Sequence, residues 1–425
     1  MAQKSWNIFN KIFEGFKKFP LFKLAYRLSW APKTYHYTLA LLGAIIYLFP
    51  SRKLKVIGVT GTKGKTTTIE LISLILETAG HKTAVLSSVR LKIGSDIKKN
   101  TFGNSLPGRF YTQYFLSEAV KAGCDYAIIE VTSQGTPLSR HRFIFWDRAV
   151  FLNIHPEHIE AHGSFENYLK AKLSFFGYIS RHPGSKSPQF FVNVQDSHEK
   201  EFIKAAGNFL IIRFSSQLAD GFKLKIPQSL SADFLKINIA AAIAVAQSFD
   251  IPKEAIKKGI EEFGGVEGRM EIVIQKPFRA VVDYAHTPDS LEAVYKYLKK
   301  GSRGKMICVL GSAGGGRDKW KRPALGKIAA QYCNYIILTD EDPYNEDPMA
   351  IIDEIGKGYL ENGGKALNLE KILDRAQAIK KAISMARTGD AVICTGKGSE
   401  EWIHLAHGKK MPWSEREVIL LTKKT

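Results

Sequence analysis

The stretch Lys55-Val56-Ile57-Gly58-Val59-Thr60-Gly61-Thr62-Lys63-Gly64-Lys65-Thr66-Thr67-Thr68 decides the fold class that we assign to this chain. Its first six residues form an apolar, β-branched run typical of a buried strand, and residues 69–76 are typical of an apolar helix. A glycine-rich turn with Lys-Thr between strand and helix is the pattern of a phosphate-binding loop, whose backbone N–H groups hold phosphate oxygens. The sequence therefore predicts an α/β fold with a nucleotide site at the end of this strand.

The predicted nucleotide-binding residues of this loop are Gly61, Thr62, Lys63, Gly64, Lys65, Thr66 and Thr67. We expect the Lys65 ammonium to meet the terminal phosphates of ATP and the Thr66 hydroxyl to bind the accompanying Mg²⁺. The spacing departs from the strict GxxxxGK[ST] pattern because residue 59 is valine. The prediction depends instead on the position of the loop between strand and helix.

Two further segments carry polar side chains that suit the same site. The apolar run 126–129 ends in Glu130, and an acid at the carboxyl end of a parallel strand lies beside the phosphate loop, where it would complete the Mg²⁺ shell. The segment 153–163 contains His155, His158 and His162. Their spacing would suit a zinc site on one helix face, but Pro156 interrupts that face and no cysteine joins them. A polar active-site loop is therefore favoured over zinc.

Composition and charge narrow the class of protein. The chain has 425 residues, 45% of them hydrophobic and 24% charged, which argues against a disordered, collagen-like or disulfide-stapled protein. Its 61 Lys and Arg exceed its 41 Asp and Glu by 20, a balance that suggests nucleic acid, an anionic membrane or phosphorylated substrates. Residues 1–55 hold ten basic residues and one acid, so +9 lies there and +11 in the other 370 residues. A nucleic-acid NTPase is disfavoured because we find no nucleic-acid motif and no basic stripe in the body.

The four cysteines carry little signal. They are Cys124, Cys308, Cys333 and Cys394, and no two of them have CxxC spacing. The sequence therefore predicts buried thiols in a reducing cytosol, with neither a zinc knuckle nor a disulfide framework.

The first 55 residues have a pattern of their own. The aromatic residues Trp6, Phe9, Phe13 and Phe16 recur every three or four residues, with lysines mostly between them. This spacing predicts an amphipathic helix suited to an anionic membrane surface. Residues 34–51 carry no charged side chain but only just reach the length of a spanning helix. Basic residues on both flanks argue against a span, and the long basic region argues against a secretory signal. Surface or re-entrant attachment is favoured, with a span and a helical pair packed on the body as the alternatives.

Taken with later segments, these motifs make the chain similar to the Mur ligases, the ATP-dependent amide-forming family of cell-wall precursor synthesis. The resemblance runs from about Val56 to the C-terminus, and its markers stand in the family's order at 61–67, 130–133, 153–162, 168–172, 238, 268–271, 283–289, 314–319 and 396–400. The segments Gly268-Arg269-Met270-Glu271 and Asp283-Tyr284-Ala285-His286-Thr287-Pro288-Asp289 are most similar to MurE-type ligases. Those enzymes add the third amino acid to a UDP-N-acetylmuramoyl dipeptide.

The resemblance implies an ATP-dependent acid–amino-acid ligase that uses Mg²⁺. ATP would phosphorylate the terminal carboxylate of a muropeptide-like precursor, and a free amino acid would attack the acyl phosphate, releasing ADP and phosphate. Because two anions must meet, cations must dominate such a site. The implied catalytic residues are Lys65, Glu130, His158 and Lys172, and the implied metal ligands are Thr66, Glu130, His158 and Lys172. His158 would lie near a second metal, and Lys172 matches a lysine that many of these enzymes carry as N6-carboxylysine, an anionic ligand.

The resemblance also implies contacts farther along the chain. Asn238 and Asp283 would bind adenine and ribose, Arg269 would bind phosphate, and His286 would lie against the nucleotide. The implied substrate-binding residues are Ser133, Arg140, Asp340, Asp342, Tyr344, Gly396, Lys397 and Glu400. In the family, closure of the C-terminal domain would bring Lys397 and Glu400 to the reaction.

The predicted organisation has three parts: a short helical N-terminal arm (1–53), a central ATP-binding domain with a mainly parallel sheet (54–265) and a C-terminal domain (266–425). The C-terminal domain is predicted to be a Rossmann-like α/β domain. Its strand patterns at 306–310, 335–339 and 391–394 alternate with apolar helical stretches.

One departure from the family bears on the amino acid. MurE-type ligases that add diaminopimelate carry Asp-Asn-Pro-Arg in the acceptor pocket, whereas this chain has Asp340-Glu341-Asp342-Pro343-Tyr344. Tyrosine cannot make the bidentate contact of an arginine with a distal carboxylate, and Asp342 adds an acid. A lysine-like amino acid is therefore favoured over diaminopimelate.

A second departure bears on the carrier. Residues 1–50 are shorter than the family's N-terminal UDP-binding domain and do not resemble it, so we expect that domain to be lacking. The carrier is then UDP-linked or lipid-linked, and the protein is expected in the cytoplasm, with the inner face of the membrane as an attachment surface. The oligomeric state is left open.

Two alternatives to a cell-wall ligase stay open. Folylpolyglutamate synthases carry a similar Gly-Thr-Lys-Gly-Lys string and use the same acyl-phosphate logic, but segments 130–133 and 283–289 favour the Mur ligases. An inactive, membrane-associated nucleotide-binding scaffold is disfavoured by the near-complete set of motifs.

Overall fold

The structure, a computed structural model, describes residues 31–102, 105–108, 110–157, 159–183, 186–227, 230–302, 304–317 and 319–424. In this part of the chain the strands are β1 (Lys55–Thr60), β2 (Thr83–Leu86), β3 (Arg90–Ile93), β4 (Asp96–Lys99), β5 (Tyr126–Glu130), β6 (Arg148–Phe151), β7 (Gln189–Asn193), β8 (Ile211–Phe214), β9 (Glu271–Ile274), β10 (Arg279–Asp283), β11 (Met306–Leu310), β12 (Tyr335–Leu338), β13 (Leu369–Lys371), β14 (Ala391–Thr395), β15 (Trp402–His404) and β16 (Lys410–Pro412).

The α-helices of the same residues follow in chain order. They are α1 (Ala31–Ile46), α2 (Lys65–Thr78), α3 (Tyr111–Lys121), α4 (Ile159–His162), α5 (Phe165–Arg181), α6 (Glu199–Ala206), α7 (Gln217–Asp220), α8 (Lys236–Gln247), α9 (Lys253–Glu261), α10 (Pro288–Gly301), α11 (Lys321–Tyr332), α12 (Pro348–Glu361), α13 (Arg375–Met385) and α14 (Glu415–Lys424). The chain divides into two compact units: the first holds most of the described residues up to 263, and the second holds 156–164, 230–234 and the residues from 264 onward.

The first unit is built on a mainly parallel sheet in the order β4-β3-β2-β5-β1-β6-β7-β8. The pairs from β2 to β8 run parallel, and β3 and β4 form an antiparallel edge. β1 lies in the middle, and five of its six residues are buried, as expected for a parallel strand covered on both faces. The phosphate loop therefore leaves the sheet at the carboxyl end of a central strand.

Close packing against β1 explains one glycine of the opening stretch. A Cβ at Gly58 would lie 2.5 Å from Phe175 and 2.7 Å from Trp146. These two aromatic rings belong to the buried core on one face of the sheet and meet edge to face, with ring centres 5.0 Å apart. A side chain at residue 58 would displace them, so the central strand carries glycine here.

The second unit has its own sheet, in the order β13-β12-β11-β14-β10-β9. Its pairs are parallel except for β9, which runs antiparallel to β10. Apolar clusters cover both faces of this sheet. The strands predicted at 306–310, 335–339 and 391–394 are present as β11, β12 and β14, and the predicted α/β fold class with a second, Rossmann-like sheet is confirmed.

The cysteine prediction is wrong for one pair. Cys308 and Cys333 form a disulfide, whereas Cys124 and Cys394 are buried free thiols. Cys308 lies inside β11, and Cys333 directly follows α11, which returns the chain to the sheet. Their Cα atoms are 6.1 Å apart although 25 residues separate them in sequence. The pairing depends on this tertiary return, which cysteine spacing does not display.

The uncharged stretch 34–51 is not one continuous helix. α1 ends at Ile46, Leu48 and Phe49 have φ values of 55° and 51°, and a short 3₁₀ turn follows at Pro50–Lys53. Leu39, Ala40 and Ala44 are buried in the first unit. Within the described ranges, no helix is long and apolar enough to cross a membrane. The amphipathic helix predicted from Trp6, Phe9, Phe13 and Phe16 lies outside the described residues.

Candidate active site

The phosphate loop joins β1 to α2 and is braced by Asn153. The Asn153 carbonyl accepts from the Thr62 N–H at 2.9 Å, and its side-chain Oδ1 accepts from the Lys63 N–H at 2.9 Å. Gly64 caps α2 with a φ of 78°, and a Cβ there would lie 2.1 Å from Asn238 Oδ1. Both the left-handed backbone and this close approach require glycine. The first N–H groups of α2 have no intrahelical acceptors, so they can receive phosphate oxygens.

Hydroxyl and carboxylate oxygens gather at the start of α2. Thr66 Oγ1 donates to Glu130 Oε2 at 3.1 Å and lies 3.1 Å from Ser88 Oγ. The Ser88 N–H donates to the same Glu130 oxygen at 2.9 Å. The Lys65 ammonium lies 4.0 Å from the other Glu130 oxygen and donates to the Thr62 carbonyl at 2.8 Å. We call Thr66, Ser88 and Glu130 the oxygen cluster; parallel pairing of β1 with β5 brings Glu130 into it.

The oxygen cluster fits a magnesium ion that arrives with a nucleotide. Mg²⁺ prefers oxygen ligands and is usually held by one or two carboxylates, with phosphates and water completing the shell. Glu130 is buried, and a buried carboxylate is costly unless a cation compensates it. In the described ranges, no three His, Cys, Asp or Glu side chains are grouped to hold a metal. The cluster, with its single carboxylate, therefore depends on nucleotide phosphates for the rest of the shell.

Lys172, on α5, contacts the backbone of the phosphate loop. Its buried ammonium donates to the Gly61 carbonyl at 2.7 Å and lies 4.8 Å from the centre of the Tyr168 ring. The Tyr168 hydroxyl in turn hydrogen-bonds to the Thr62 hydroxyl at 2.9 Å. Lys172 is thus placed at the loop, where its amine supports the backbone. Its metal role and its carboxylation stay predictions, and His158 lies outside the described residues.

Asn238 and the predicted substrate residues after β5 differ in their surroundings. Asn238 is buried against Gly64, and among the described residues its Oδ1 has no hydrogen-bond partner. Because such an atom is costly to leave unmet, it supports the predicted nucleotide contact. Arg140 donates to the Leu106 carbonyl at 2.8 Å, and the Ser133 carbonyl accepts from a threonine hydroxyl of its own loop. The substrate role of Ser133 and Arg140 stays a prediction.

In the second unit, Asp283 ends β10 and shapes the backbone around it. Its two carboxylate oxygens accept from the N–H groups of Met270 and Ala285, each at 2.7 Å. Burial raises the pKa of the Asp283 carboxyl above its ordinary value. The predicted ribose contact would have to use the remaining lone pairs of these oxygens.

Arg269 and His286 lie on either side of Tyr284. The Arg269 guanidinium is 4.0 Å from the centre of the Tyr284 ring, and its buried Nη1 has no hydrogen-bond partner in the part of the chain that the structure describes. This N–H can therefore meet an anion such as phosphate. The two ring nitrogens of His286 are engaged, Nδ1 with the Tyr284 carbonyl at 2.7 Å and Nε2 with Glu157 at 3.0 Å. The roles predicted for Arg269, Asp283 and His286 at a nucleotide stay predictions.

Three of the predicted substrate residues form one ion-pair cluster, in which Asp342 and Lys397 are buried and Glu400 is partly exposed. The Lys397 ammonium donates to Asp342 at 2.9 Å and to Glu400 at 2.6 Å, and the Tyr284 hydroxyl donates to Glu400 at 3.0 Å. Burial alone would lower the pKa of Lys397, but Glu400 and Asp342 raise it above its ordinary value. Burial would likewise raise the pKa of Glu400, but Lys397 lowers it. Tyr284 thus joins this cluster to the Arg269 and His286 side chains.

Tyr344 is the residue that the resemblance compares with the arginine of diaminopimelate-adding ligases. It has a φ of 52° and stacks on His404, with ring centres 5.2 Å apart and planes at 13°. Its hydroxyl accepts from Arg317 Nη2 at 3.0 Å. Asp342 accepts from the His404 N–H at 2.8 Å in addition to Lys397. The extra acid of this segment is therefore already compensated, and a guanidinium from another segment lies at the tip of Tyr344.

A buried arginine holds the two strand ends that carry these side chains. Arg375 pairs with Glu415, and both are fully buried. It also donates to the Asp340 carbonyl at 2.9 Å and to the Thr395 carbonyl at 2.7 Å. Directly after Thr395, Gly396 has a φ of 106°, and a Cβ there would lie 2.1 Å from a Glu341 oxygen. Burial raises the pKa of Asp340 to about 6.

Sequence reasoning missed four side chains in these clusters: Ser88, Tyr284, Arg317 and Arg375. Tyr284 and Arg317 stand inside the quoted family segments but received no role. Ser88 lies two residues after β2, and Arg375 is the first residue of α13. No sequence motif marks either position. A signal was therefore present for the first two and absent for the other two.

A P-loop α/β unit with a hydroxyl–carboxylate oxygen cluster defines a nucleotide-binding protein, and comparison with known families specifies which kind. The Mur ligase middle domain matches residues 59–232, and the Mur ligase, glutamate ligase domain matches residues 268–398. This chain belongs to the Mur ligase family, so the expectation of an ATP-dependent ligase is confirmed.

Individual relatives carry two names. A UDP-N-acetylmuramyl-tripeptide synthetase of Roseiflexus sp. is 36% identical over 409 residues, which covers 89% of this chain and 80% of that protein. A UDP-N-acetylmuramoyl-L-alanyl-D-glutamate–2,6-diaminopimelate ligase of Syntrophomonas wolfei is 35% identical over 403 residues, covering 89% and 80%. The predicted similarity to MurE-type ligases is confirmed by these matches.

Solved structures agree on the fold. A UDP-N-acetylmuramoyl-L-alanyl-D-glutamate–2,6-diaminopimelate ligase has a TM-score of 0.56 and 26% identity, covering 87% of this chain and 78% of that one. FolC of E. coli in complex with ADP has a TM-score of 0.63 at 20% identity, covering 84% and 90%. At that identity the second similarity shows the shared fold alone.

Proposed function

We propose that this protein joins a free amino acid to the terminal carboxylate of a muropeptide-like cell-wall precursor, with ATP and Mg²⁺, through an acyl phosphate. The observation that carries the proposal is the oxygen cluster at the phosphate loop. It sets a buried carboxylate and two hydroxyls beside the Lys65 ammonium at the N-terminus of α2. Such a site suits a nucleoside triphosphate with its metal ion and does not suit an uncharged ligand.

Each group at the loop has a separate task in this proposal. The N–H groups at the start of α2 and the Lys65 ammonium bind and orient the phosphates. Thr66 and Glu130 would hold Mg²⁺, which supplies charge neutralisation on the transferring phosphoryl group when bound. Asn153 and Lys172 fix the loop backbone by hydrogen bonds, which keeps the donors in place before the nucleotide binds.

Residues of the second unit would serve the amide-forming half of the reaction. The unpartnered Nη1 of Arg269 supports a role at an anion, which would be a phosphate. Glu400 stays ionised because Lys397 lowers its pKa, so it suits the ammonium group of an incoming amino acid. The amine must lose a proton before it attacks the acyl phosphate.

The amino acid is proposed to be lysine-like. The support is Tyr344, which cannot form the bidentate contact of an arginine with a distal carboxylate. Asp342 does not support the proposal, because it already accepts hydrogen bonds from Lys397 and from the His404 N–H. Phosphate release with a panel of amino acids tests this. Faster turnover with lysine than with diaminopimelate is expected, Tyr344→Arg should shift the ratio toward diaminopimelate, and a wild-type preference for diaminopimelate contradicts the proposal.

Carboxylation of Lys172 is a second specific proposal. A carbamate forms when the neutral amine adds to CO₂ and releases a proton, which turns a cation into an anionic ligand. Activity that rises with bicarbonate, with an intact mass greater by one CO₂, is expected. Lys172→Arg separates the roles: it keeps the charge that supports the Gly61 carbonyl but cannot be carboxylated. If Lys172→Arg keeps full activity, the carbamate is unnecessary.

The carrier is proposed to be UDP-linked or lipid-linked, and the protein to act in the cytoplasm. Mass spectrometry of the product formed with each acceptor identifies the carrier. Lys65→Ala should abolish product with every acceptor, whereas Lys121→Ala, which removes one partner of an exposed pair with Glu118 on α3, should not. Product formation by Lys65→Ala would contradict the assignment of the loop.

Folylpolyglutamate synthesis is the second candidate, because the Gly61-Thr62-Lys63-Gly64-Lys65 string is similar to that of folylpolyglutamate synthases. The fold is also shared. Folylpolyglutamate synthase complexed with ADP and AMPPCP, from Mycobacterium tuberculosis, has a TM-score of 0.67 at 15% identity, covering 85% of this chain and 92% of that one. Including a folate acceptor with glutamate in the same panel tests it. Turnover of the folate and none of the muropeptide would replace the first proposal with this one.

A further inference from the structure

One surface of the first unit lies outside the catalytic clusters and combines apolar and basic side chains. On α1 and the turn after it, four branched aliphatic side chains face outward: Leu42 (40% exposed), Ile45 (48%), Ile46 (45%) and Leu48 (83%). We call these four residues the apolar ridge. The opposite side of α1, with Leu39, Ala40 and Ala44, is buried in the unit. The ridge is therefore the face that the fold leaves uncovered in the described residues, and packing does not explain its composition.

Basic side chains follow the apolar ridge closely in the sequence. A cavity of about 380 Å³ is lined by Arg52, Lys53, Leu54, Lys55, His81, Asp125, Tyr126 and Lys186. The Arg52 guanidinium lies over both the Phe49 and Phe145 rings, at 4.9 and 4.7 Å from their centres. Lys53 and Lys55 are exposed. We call Arg52, Lys53 and Lys55 the basic flank.

The carboxylates near the basic flank are engaged elsewhere. Asp125 accepts from the Lys82 N–H at 2.9 Å and lies 3.8 Å from His81. Asp147 is paired with Lys186, which also donates to backbone carbonyls of residues 51, 54 and 145. From Lys33 to Lys55 the sequence has no Asp or Glu. Within the described ranges no carboxylate pairs with the basic flank, so its positive charge beside the ridge is uncompensated there.

We infer that the apolar ridge and the basic flank together dock this protein on an anionic lipid bilayer. An interfacial helix buries its apolar side at the boundary of headgroups and acyl chains while nearby cations meet the phosphates. The ridge supplies the first element, and the flank supplies the second. The inference concerns a surface separate from the ligase site and does not rest on the proposed reaction.

Charge selects this partner over the two nearest alternatives. Residues 1–30 of the same chain carry six basic residues and one acid, so in covering the ridge they would meet the flank with like charge. A second copy packed ridge to ridge in parallel orientation would oppose one basic flank to another, and an antiparallel copy would leave both flanks without an anionic partner. An anionic bilayer satisfies both the apolar and the basic side chains.

The position of the surface leaves the phosphate loop open. Lys55 begins β1 and the loop follows its last residue, so the flank and the loop lie at opposite ends of the strand, about 16 Å apart along it. Docking through the flank would keep the loop edge of the sheet facing away from the lipid.

Flotation of the full chain with lipid vesicles tests the inference. We expect binding to phosphatidylcholine vesicles containing about one third phosphatidylglycerol, and weaker binding to phosphatidylcholine alone. The variant Leu42→Gln/Ile45→Gln/Ile46→Gln should bind the anionic vesicles about tenfold more weakly. Its matched control, Leu210→Gln/Leu360→Gln/Leu367→Gln, changes three exposed leucines elsewhere and should bind as the wild type does.

A second pair of variants tests the charge. Lys53→Gln/Lys55→Gln should lose most of the preference for phosphatidylglycerol, about tenfold, whereas the exposed pair Lys365→Gln/Lys380→Gln should keep it. Thermal unfolding of each variant separates loss of binding from loss of fold. Equal vesicle binding by the ridge variant and the wild type would overturn the inference. So would a wild-type dimer in sedimentation that the ridge variant converts to monomer, since the ridge would then meet a second copy.

Discussion

The oxygen cluster of the first unit and the ion-pair cluster of the second unit handle carboxylate charge in opposite ways. In the first unit, Glu130 is surrounded by hydroxyl and N–H donors, and the nearest lysine ammonium, that of Lys65, lies 4.0 Å away. In the second unit, Asp342 and Glu400 share the Lys397 ammonium at 2.9 and 2.6 Å. The first arrangement leaves room for an external cation, whereas the second is compensated internally. We therefore expect the activity of the phosphate loop to depend on a bound cation. The stability of the second unit should depend on the ion pairs within its own cluster.

Removing the charge of Glu130 should have the largest effect of the substitutions that test this contrast. Glu130→Gln keeps the shape and the hydrogen-bonding oxygen but loses the negative charge that would hold Mg²⁺. We expect kcat/KM for ATP to fall by about a thousandfold, while the fold is retained because a buried charge has been removed. Steady-state kinetics over a range of Mg²⁺ concentrations measures the loss.

The matched control for this substitution is Glu118→Gln. Glu118 pairs with Lys121 at 2.8 Å on the partly exposed side of α3, and surface pairs of this kind contribute little. Unchanged Mg²⁺ dependence in Glu130→Gln would show that the carboxylate has no metal role.

Breaking the ion-pair cluster should instead cost stability. Lys397→Met leaves the buried carboxylate of Asp342 and the half-buried carboxylate of Glu400 without their shared cation, and we expect the free energy of unfolding to fall by about 3 kcal/mol. Urea denaturation measures it. Lys357→Met, which removes the cation of an exposed pair with Glu361 at 3.8 Å, should change stability by less than about 0.5 kcal/mol. Equal losses in the two variants would contradict the contrast.

The same contrast explains what the sequence could predict. Strand, turn and helix of the phosphate loop are contiguous in the chain, so residues 55–76 alone indicate both the fold and the nucleotide site. Glu130 was predictable because parallel strands end at one edge of a sheet. The ion-pair cluster joins residues 342, 397 and 400, and Tyr284 reaches Glu400 across 116 positions. Only the family resemblance singled out these positions, and it gave no geometry for them.

Tertiary contacts also explain the cysteine expectation that the fold revised and the form of the stretch 34–51, which the sequence left open. Cys308 and Cys333 meet because α11 returns to β11, and the uncharged stretch 34–51 breaks after Ile46 because Leu48 and Phe49 adopt left-handed backbone. Neither a return of the chain nor a reversal by two apolar residues has a residue pattern that marks it. The sequence shows that this stretch is apolar. Its division into a buried side and an exposed ridge could be seen only from the packing of α1.

Asp340 offers a pH-dependent test on the second unit. Burial raises its pKa from 3.8 to about 6, so the folded state binds the proton more tightly than the unfolded state does. The resulting stability is present in full below about pH 4 and is lost as the pH rises through about 6. A shift of this size corresponds to about 2–3 kcal/mol. Asp340→Asn cannot titrate, so its stability should fall less than that of the wild type between pH 5 and pH 7.5.

Urea denaturation of both proteins at the two pH values gives the difference, in which the other titrating groups cancel. Asp353→Asn is the matched control, because Asp353 pairs with Lys371 on the exposed surface at 2.7 Å. Parallel pH dependence in the wild type and Asp340→Asn would mean that Asp340 titrates normally.

Ser88 gives the smallest effect and sharpens the oxygen cluster. Its hydroxyl lies 3.1 Å from Thr66 Oγ1, and its N–H, which an alanine keeps, donates to Glu130. Ser88→Ala therefore removes one oxygen and leaves the carboxylate in place. We expect the Mg²⁺ concentration for half-maximal activity to rise about tenfold, with kcat little changed. Ser87→Ala is the control, since that hydroxyl bonds to Arg90 backbone atoms and not to the cluster. A lower kcat at saturating Mg²⁺ would instead assign Ser88 to positioning the nucleotide, because weaker metal binding alone is overcome by excess metal.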